Sequence, residues 1–166
     1  MKKLFIASLK SCGGCRTCEL LCSFRHTKEV NPELARITVV KLPHKDVADV
    51  ICEPVFCRQC GQCVKECPEG ALSFAKVRGT IEVDKGKCTG CSQCVEVCPF
   101  GAIGMHPTAR VPLICDLCGG DPVCAEFCPR GTIVFKEESE YKYEKAMQSV
   151  KERLKDANYE EKAPAV

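Results

Sequence analysis

Cys57-Arg-Gln-Cys60-Gly-Gln-Cys63-Val-Lys-Glu-Cys67-Pro68 is the stretch that decides how this chain reads. Three cysteines spaced two residues apart can wrap a loop around one small inorganic core, and Gly61 lets the backbone approach it. The step from Cys63 to Cys67 is one helical turn, and Pro68 stops that turn. Working outward, the same spacing recurs at Cys88, Cys91, Cys94 and Cys98, before Pro99. It recurs again at Cys12, Cys15, Cys18 and Cys22, where Ser23 replaces the proline, so this helix is expected to run on through Phe24-Arg-His-Thr-Lys28. A fourth tetrad, Cys115, Cys118, Cys124 and Cys128, has a wider middle gap and ends on Pro129. The tails Pro68-Glu-Gly-Ala-Leu, Pro99-Phe-Gly-Ala-Ile and Pro129-Arg-Gly-Thr-Ile are variants of one phrase. One module is used four times. The glycine of each tail should turn the chain into a short strand, over 71–74, 102–105 and 132–135. Further strands are expected over 37–42 and 80–83.

The tetrads take all but one of the 17 cysteines in 166 residues and leave Cys52. Leu, Ile, Val and Phe make up about 24% of the chain, above the disorder range of roughly 20% but thin for a self-sufficient core. Something besides apolar burial must hold the fold. A disulfide framework would require secretion, yet the apolar run in Met1–Lys10 is about six residues, short of the roughly 7–15 of a signal peptide. No stretch reaches the ~18 apolar residues of a membrane span. The expectation is a cytoplasmic protein whose thiols ligate metal. Zinc usually takes two separated cysteine pairs, whereas tetrads of soft thiolate suit iron–sulfur cubes. No tetrad has Asp or Ser in place of Cys, so four 4Fe–4S clusters are expected. The formal charge of +2 would then fall to about −6, since each oxidised cube with four thiolates carries −2. Nucleic acid loses its electrostatic attraction under that count.

At this point the chain resembles the four-cluster ferredoxin-type subunits of anaerobic oxidoreductases, over roughly residues 1–135. The run C-x2-C-x2-C-x3-C-P is the bacterial ferredoxin pattern, in which the fourth cysteine serves the other cluster of a pair. The tetrad Cys115-Asp-Leu-Cys-Gly-Gly-Asp-Pro-Val-Cys-Ala-Glu-Phe-Cys-Pro129 is similar to the last repeat of electron-transfer subunits serving molybdenum and tungsten enzymes. Cys12-Gly-Gly-Cys-Arg-Thr-Cys-Glu-Leu-Leu-Cys-Ser-Phe-Arg-His26, with Asn31-Pro-Glu-Leu-Ala-Arg-Ile37, looks most like the small subunits paired with tungsten-pterin enzymes. Those include aldehyde ferredoxin oxidoreductases and the related benzoyl-CoA reductases; subunits of the dimethyl-sulfoxide-reductase type share the tetrads but are usually longer.

The resemblance implies an α+β fold of two ferredoxin-like dicluster units, with repeats two and three inserted between repeats one and four. The outer unit would span 1–51 and 99–135, the inner unit 52–98, and a charged helix and tail 136–166. Only 68–87 separate repeats two and three, enough for a strand–turn–strand return, so these should pair and leave repeats one and four to pair across the chain. The implied ligand sets are Cys57, Cys60, Cys63 with Cys98; Cys88, Cys91, Cys94 with Cys67; Cys12, Cys15, Cys18 with Cys128; and Cys115, Cys118, Cys124 with Cys22. The alternative is that each repeat closes its own cube.

The implied function is an electron-transfer subunit, relaying single electrons between a large tungsten or molybdenum pterin subunit, an aldehyde oxidoreductase, and a flavin-containing subunit or soluble ferredoxin. Contact with further copies of itself is a further option. A freestanding polyferredoxin, and clusters serving as structural staples or redox sensors, are the competing readings. No Gly-rich nucleotide loop, H-E-x-x-H or G-x-S-x-G occurs, so no catalytic residue is assigned and the chain is not an enzyme by itself.

Outside the tetrads, Cys52 reads as a buried inert thiol, against a spare ligand or redox sensor. His26, His44 and His106 read as solvated or core histidines, with cluster tuning by His26 as the competing reading. Arg16 and Arg58 would raise local potentials, and Asp116 and Asp121 would make the fourth repeat's loop the lowest in potential, unless all four are simply solvated. Tyr143, Met147, Val150, Leu154 and Ala157 recur on one helical face, to pack on the cluster domain, lie loosely on its surface or dock a partner, with fraying beyond 157.

Overall fold

Alternation of apolar and charged residues over a few positions makes strands here, and each strand finds one neighbour. The computed structural model describes residues 2–7, 12–43 and 50–155. Among these residues are four two-stranded antiparallel sheets: β1 (Lys2–Ile6) with β8 (Ile133–Glu137), β2 (Ile37–Pro43) with β3 (Val50–Phe56), β4 (Leu72–Phe74) with β5 (Ile81–Val83), and β6 (Gly104–Met105) with β7 (Pro112–Leu113). Lys2–Ile6, within the opening segment weighed above as a leader, forms β1. It sets Leu4 opposite Phe135 and Ile6 opposite Ile133, burying Leu4 and Ile6 on one face.

The expected strands are present with shifted ends. The one over 102–105 shrinks to two residues, because Met105 faces Pro112, which has no N–H for the ladder. The sequence reading missed β1, β3 and β7. The two inner hairpins match each other in detail: Ala75 N donates to Thr80 O and His106 N to Val111 O, both at 2.8 Å.

The helices follow the prolines. α2 (Gln62–Lys65), α3 (Gln93–Glu96) and α4 (Val123–Glu126) are single turns that stop shortly before Pro68, Pro99 and Pro129. With Ser23 in the equivalent place, α1 (Thr17–Thr27) runs for 11 residues. Ser23 is fully buried there; its hydroxyl donates to Leu20 O at 2.9 Å and accepts from Asn31 N at 3.2 Å. α1 lies against α4, and α2 against α3. The core mixes Leu4, Ile37, Phe56, Ile81, Ile114 and Ile133 with the thiols of Cys22, Cys57, Cys63, Cys94, Cys115 and Cys124. The cysteines are core residues themselves. The boundary drawn between residues 51 and 52 falls inside β3.

α5 (Glu138–Lys155) narrows the alternatives for the C-terminal stripe. The stripe Tyr143, Met147 and Val150 does not pack on the cluster domain; all three are exposed. The helix is anchored instead by Tyr141, whose ring stacks on Phe5 at 4.0 Å and whose hydroxyl donates to Ile6 O at 2.7 Å, and by Lys145 Nζ, which donates to Ala7 O. His44, Ala157 and the segment beyond it, where fraying was expected, lie outside the described residues. No helix among the described residues is long and apolar enough to cross a membrane.

Candidate metal centre

The four cysteine loops share one backbone feature, and the fourth goes beyond it, since Cys118 itself and Gly120 also have positive φ there. Both neighbours of the second cysteine adopt left-handed φ in every repeat: Gly14 and Arg16 around Cys15, Gln59 and Gly61 around Cys60, Gly90 and Ser92 around Cys91, Leu117 and Gly119 around Cys118. For Arg16, Gln59, Ser92 and Leu117 this conformation costs about 1–2 kcal/mol each. Strain of this kind persists where surroundings over-determine it, typically at binding sites. At Gly14, Gly61 and Gly90 a Cβ would also collide, at 2.6, 2.5 and 2.7 Å, with Cys52 Sγ, the Phe74 ring and Arg110 O. The loops are backed too closely for a side chain.

Folding draws the sixteen tetrad thiols into four groups, and each group crosses repeats. Cys12, Cys15, Cys18 and Cys128 line one cavity. Cys88, Cys91 and Cys94 line another with Cys67. Cys57, Cys60 and Cys63 are electrostatic neighbours of Cys98. Cys22 is a neighbour of Cys115, Cys118 and Cys124. These groups are termed A, D, C and B. They also form a series: Cys18 of A lies near Cys124 of B, Cys115 of B near Cys57 of C, and Cys63 of C near Cys94 of D.

Burial, then the neighbouring carboxylate of Glu19, pushes the Cys18 thiol up to about 12. Burial likewise pushes Cys115 to about 12 and Cys22, Cys57 and Cys63 to about 11. Burial also drives Cys124 upward, aided by Cys115 and Cys22. Thiolates at such sites require a compensating cation, which cluster iron supplies. Amide N–H groups already point at several sulfurs: Arg36 N at Cys22 (3.3 Å), Gln59 N at Cys57 (3.4 Å) and Ala102 N at Cys98 (3.4 Å). Soft donors in fours, a fixed loop shape and N–H groups aimed at sulfur together fit an iron–sulfur cube.

Several residues around the groups play parts that the sequence did not disclose. Glu19, inside α1, is 3% exposed; its Oε1 accepts from Val39 N and ties α1 to β2. Gln59 spans groups B and C, donating from Nε2 to Cys115 O at 2.6 Å and accepting Ile81 N on Oε1 at 2.9 Å. Strained backbone at a nominally solvated glutamine is its signature, and no sequence pattern carries it.

Asp116 departs from the role expected of its loop. Its carboxylate pairs with Arg36 Nη1 at 2.9 Å and lies 3.5 Å from His26 Nε2. Burial opposes its ionisation, but Arg36, His26 and the Cys118 amide hold it below the usual carboxylate range. A partnered negative charge no longer singles this loop out as lowest in potential. Asp121 is exposed. Arg16 faces Glu19 at 3.7 Å, and Arg58 stacks over Phe56 at 4.6 Å. Cys52 is buried in β3 behind Gly14, outside the four groups. His106 caps its hairpin turn, its Nδ1 accepting from Thr108 N and Ala109 N. His26 alone of the described histidines reaches a tetrad thiol, with Nε2 3.8 Å from Cys118 Sγ.

Comparison with known proteins bears on the cofactor and the family. A family profile described as 4Fe-4S dicluster domain matches residues 56–102. The polyferredoxin-like subunit of an aliphatic sulfonate oxidoreductase from Pyrococcus furiosus is 41% identical over 70% of this chain and 66% of its own length. Electron transport protein HydN of Escherichia coli is 36% identical over 53% of this chain and 51% of its own. The chain thus spans under two thirds of the length of these two relatives. The B subunit of anaerobic dimethyl sulfoxide reductase from Shigella flexneri is 31% identical over 79% of this chain and 71% of its own. Four thiol groups built by one repeated loop, and kinship over most of a reductase subunit, lead to one conclusion: this chain carries multiple 4Fe–4S clusters and belongs to the family of ferredoxin-like iron–sulfur electron-transfer subunits.

Proposed function

We propose that the chain holds four 4Fe–4S clusters, one in each of groups A to D, and relays single electrons along that series. The observation that carries the reading is the order of the thiol groups, each adjacent to the next. When bound, each cube accepts and releases one electron at a time. The protein's own residues do the rest. Cys12, Cys15, Cys18 and Cys128 would hold the first cube; Cys22, Cys115, Cys118 and Cys124 the second; Cys57, Cys60, Cys63 and Cys98 the third; Cys67, Cys88, Cys91 and Cys94 the fourth. In the middle of the path Cys22, Cys115, Cys124, Cys57 and Cys63 are buried, and Cys60 of C is exposed. Cys15 and Cys91, at opposite ends of the series, are exposed and suit electron entry and exit. The two ferredoxin-like units are then A with B and C with D, joined by Gln59.

The partner in this reading is a large tungsten or molybdenum pterin subunit with an aldehyde oxidoreductase activity, discharging to a flavin subunit or a ferredoxin in the cytoplasm. The resemblance of the first and last tetrads to subunits of such enzymes supports it, as does kinship to proteins named as parts of a sulfonate oxidoreductase and of dimethyl sulfoxide reductase. That second kinship favours a dimethyl-sulfoxide-reductase-type molybdenum partner as the other reading. Purification from the native source decides. Stoichiometric co-elution with a large pterin-containing chain, and reversible titration near about −400 mV, are expected. Elution alone would favour a freestanding polyferredoxin, and clusters that do not cycle would favour structural staples or sensors.

A further inference from the structure

We infer that His26 is a potential-setting residue for group B, donating its Nε2–H to the Cys118 sulfur. The inference rests on the ligand set proposed for B. In the other three repeats the second cysteine of the loop, Cys15, Cys60 or Cys91, is exposed. Cys118 is half-buried, and His26 stands against it with Nε2 3.8 Å from its sulfur. The imidazole is there for a reason written in the first repeat. Ser23, in place of the proline that ends the other single-turn helices, lets α1 continue to Thr27. His26 then falls four residues after Cys22, on the same helical face, and α1 delivers both residues to one group.

The direction of the hydrogen bond follows from the neighbours. A thiolate and a carboxylate both offer only lone pairs, and Nε2 faces Cys118 Sγ and, at 3.5 Å, Asp116 Oδ1. Nε2 therefore carries the proton. Asp116 is held in place by Arg36 and accepts the Cys118 amide at 3.0 Å, so the imidazole is steadied beside the sulfur. A hydrogen bond to a cluster sulfur draws electron density from it and favours the reduced state, one of the levers that set cluster potentials. Groups A, C and D have no described histidine against their sulfurs. B, in the middle of the relay, is thereby set apart from its neighbours.

The test is potentiometry followed by electron paramagnetic resonance on the fully loaded protein, with His26→Phe and His26→Gln. The expected result is that His26→Phe lowers one potential of the set, making that reduction at least about tenfold less favourable, about 59 mV for one electron. The other potentials stay in place, and His26→Gln, which keeps an N–H donor, recovers part of the shift. A His26→Phe protein with full iron content and every potential at its wild-type value overturns the inference. Should His26→Phe lose a cluster, wild-type protein grown with 15N-histidine decides: a 15N coupling to a reduced cluster is expected, and its absence overturns the proposal. Failure of the underlying ligand set looks different, since Cys118→Ser would then spare the cluster that Cys22→Ser damages.

Discussion

The outer pair of repeats and the inner pair share a cysteine spacing, save for the wider middle gap of the fourth tetrad, and end in different surroundings. In the outer pair, α1 runs 11 residues, β1 joins β8, and the seven-residue strands β2 and β3 lie beside α1. Cys22, Cys115 and Cys124 are all buried there. The inner pair has single-turn helices and two hairpins whose strands are three and two residues long. The inner pair likewise buries three tetrad cysteines, Cys57, Cys63 and Cys94, so the difference lies in the segments around the loops and not in how many thiols are covered. Serine in place of proline at position 23 sets the first repeat apart from the other three. It lengthens a helix and carries His26 up to a thiol of the partner repeat.

The comparison breaks most violently on removal of iron. Chelation under reducing conditions should abolish the cooperative melt, because ligation supplies much of the folding free energy of a chain with so small an apolar core. Hydrogen exchange during progressive iron loss should expose the 72–83 and 104–113 hairpins first and β2 and β3 last. An apo protein with native circular dichroism and a sharp melt would refute this. Next in size are single ligand losses. Cys67→Ser and Cys91→Ser should disturb the same spectroscopic cluster, whereas Cys60→Ser should disturb another and Cys52→Ser should keep the full iron content. If Cys67→Ser altered the cluster affected by Cys60→Ser, the cross-repeat sets would be wrong.

Gln59→Ala tests the join between the two pairs. It leaves Cys115 O and Ile81 N without their partner, which should cost about 1–3 kcal/mol, read as a lower melting temperature with iron content unchanged. An unaltered melt would mean that the pairs are held together elsewhere. Smaller still is Tyr141→Phe, which removes the hydroxyl donated to Ile6 O and should cost about 1 kcal/mol while leaving every redox potential in place. The pH dependence of the same anchor has a definite sign. Hydrogen bonds from Lys142 and Lys3 hold Glu138 down to about 2. Its contribution to docking α5 is therefore complete above the ordinary carboxylate range and lost as pH falls through about 2. Proteolysis of α5 that rose already between pH 6 and 5 would contradict that assignment.

How far the sequence was legible follows from the range of each interaction. Cysteine spacing, the prolines behind Cys67, Cys98 and Cys128, and the glycine turns after them are local, so the loops and single-turn helices could be read directly. The run-on of α1 could be read as well, from one missing proline. Strand β1 was overlooked because five residues beginning Lys2-Lys3 show alternation too briefly to stand out, and their partner β8 lies far along the chain, with Lys2 opposite Glu137. The face of α5 that meets the protein was left open, because periodicity reports which residues share a side of a helix, not which side is covered; Tyr141, stacked on Phe5, decided that. By itself, the sequence determined that four soft-donor sets exist and how each loop must bend around its core. The cross-repeat thiol sets were already expected from the family resemblance; only the tertiary structure decided the order A to D of the thiol groups and the company each sulfur keeps. Those depend on contacts such as Gln59 to Cys115 and His26 to Cys118, made between segments 56 and 92 residues apart, where no local pattern reaches.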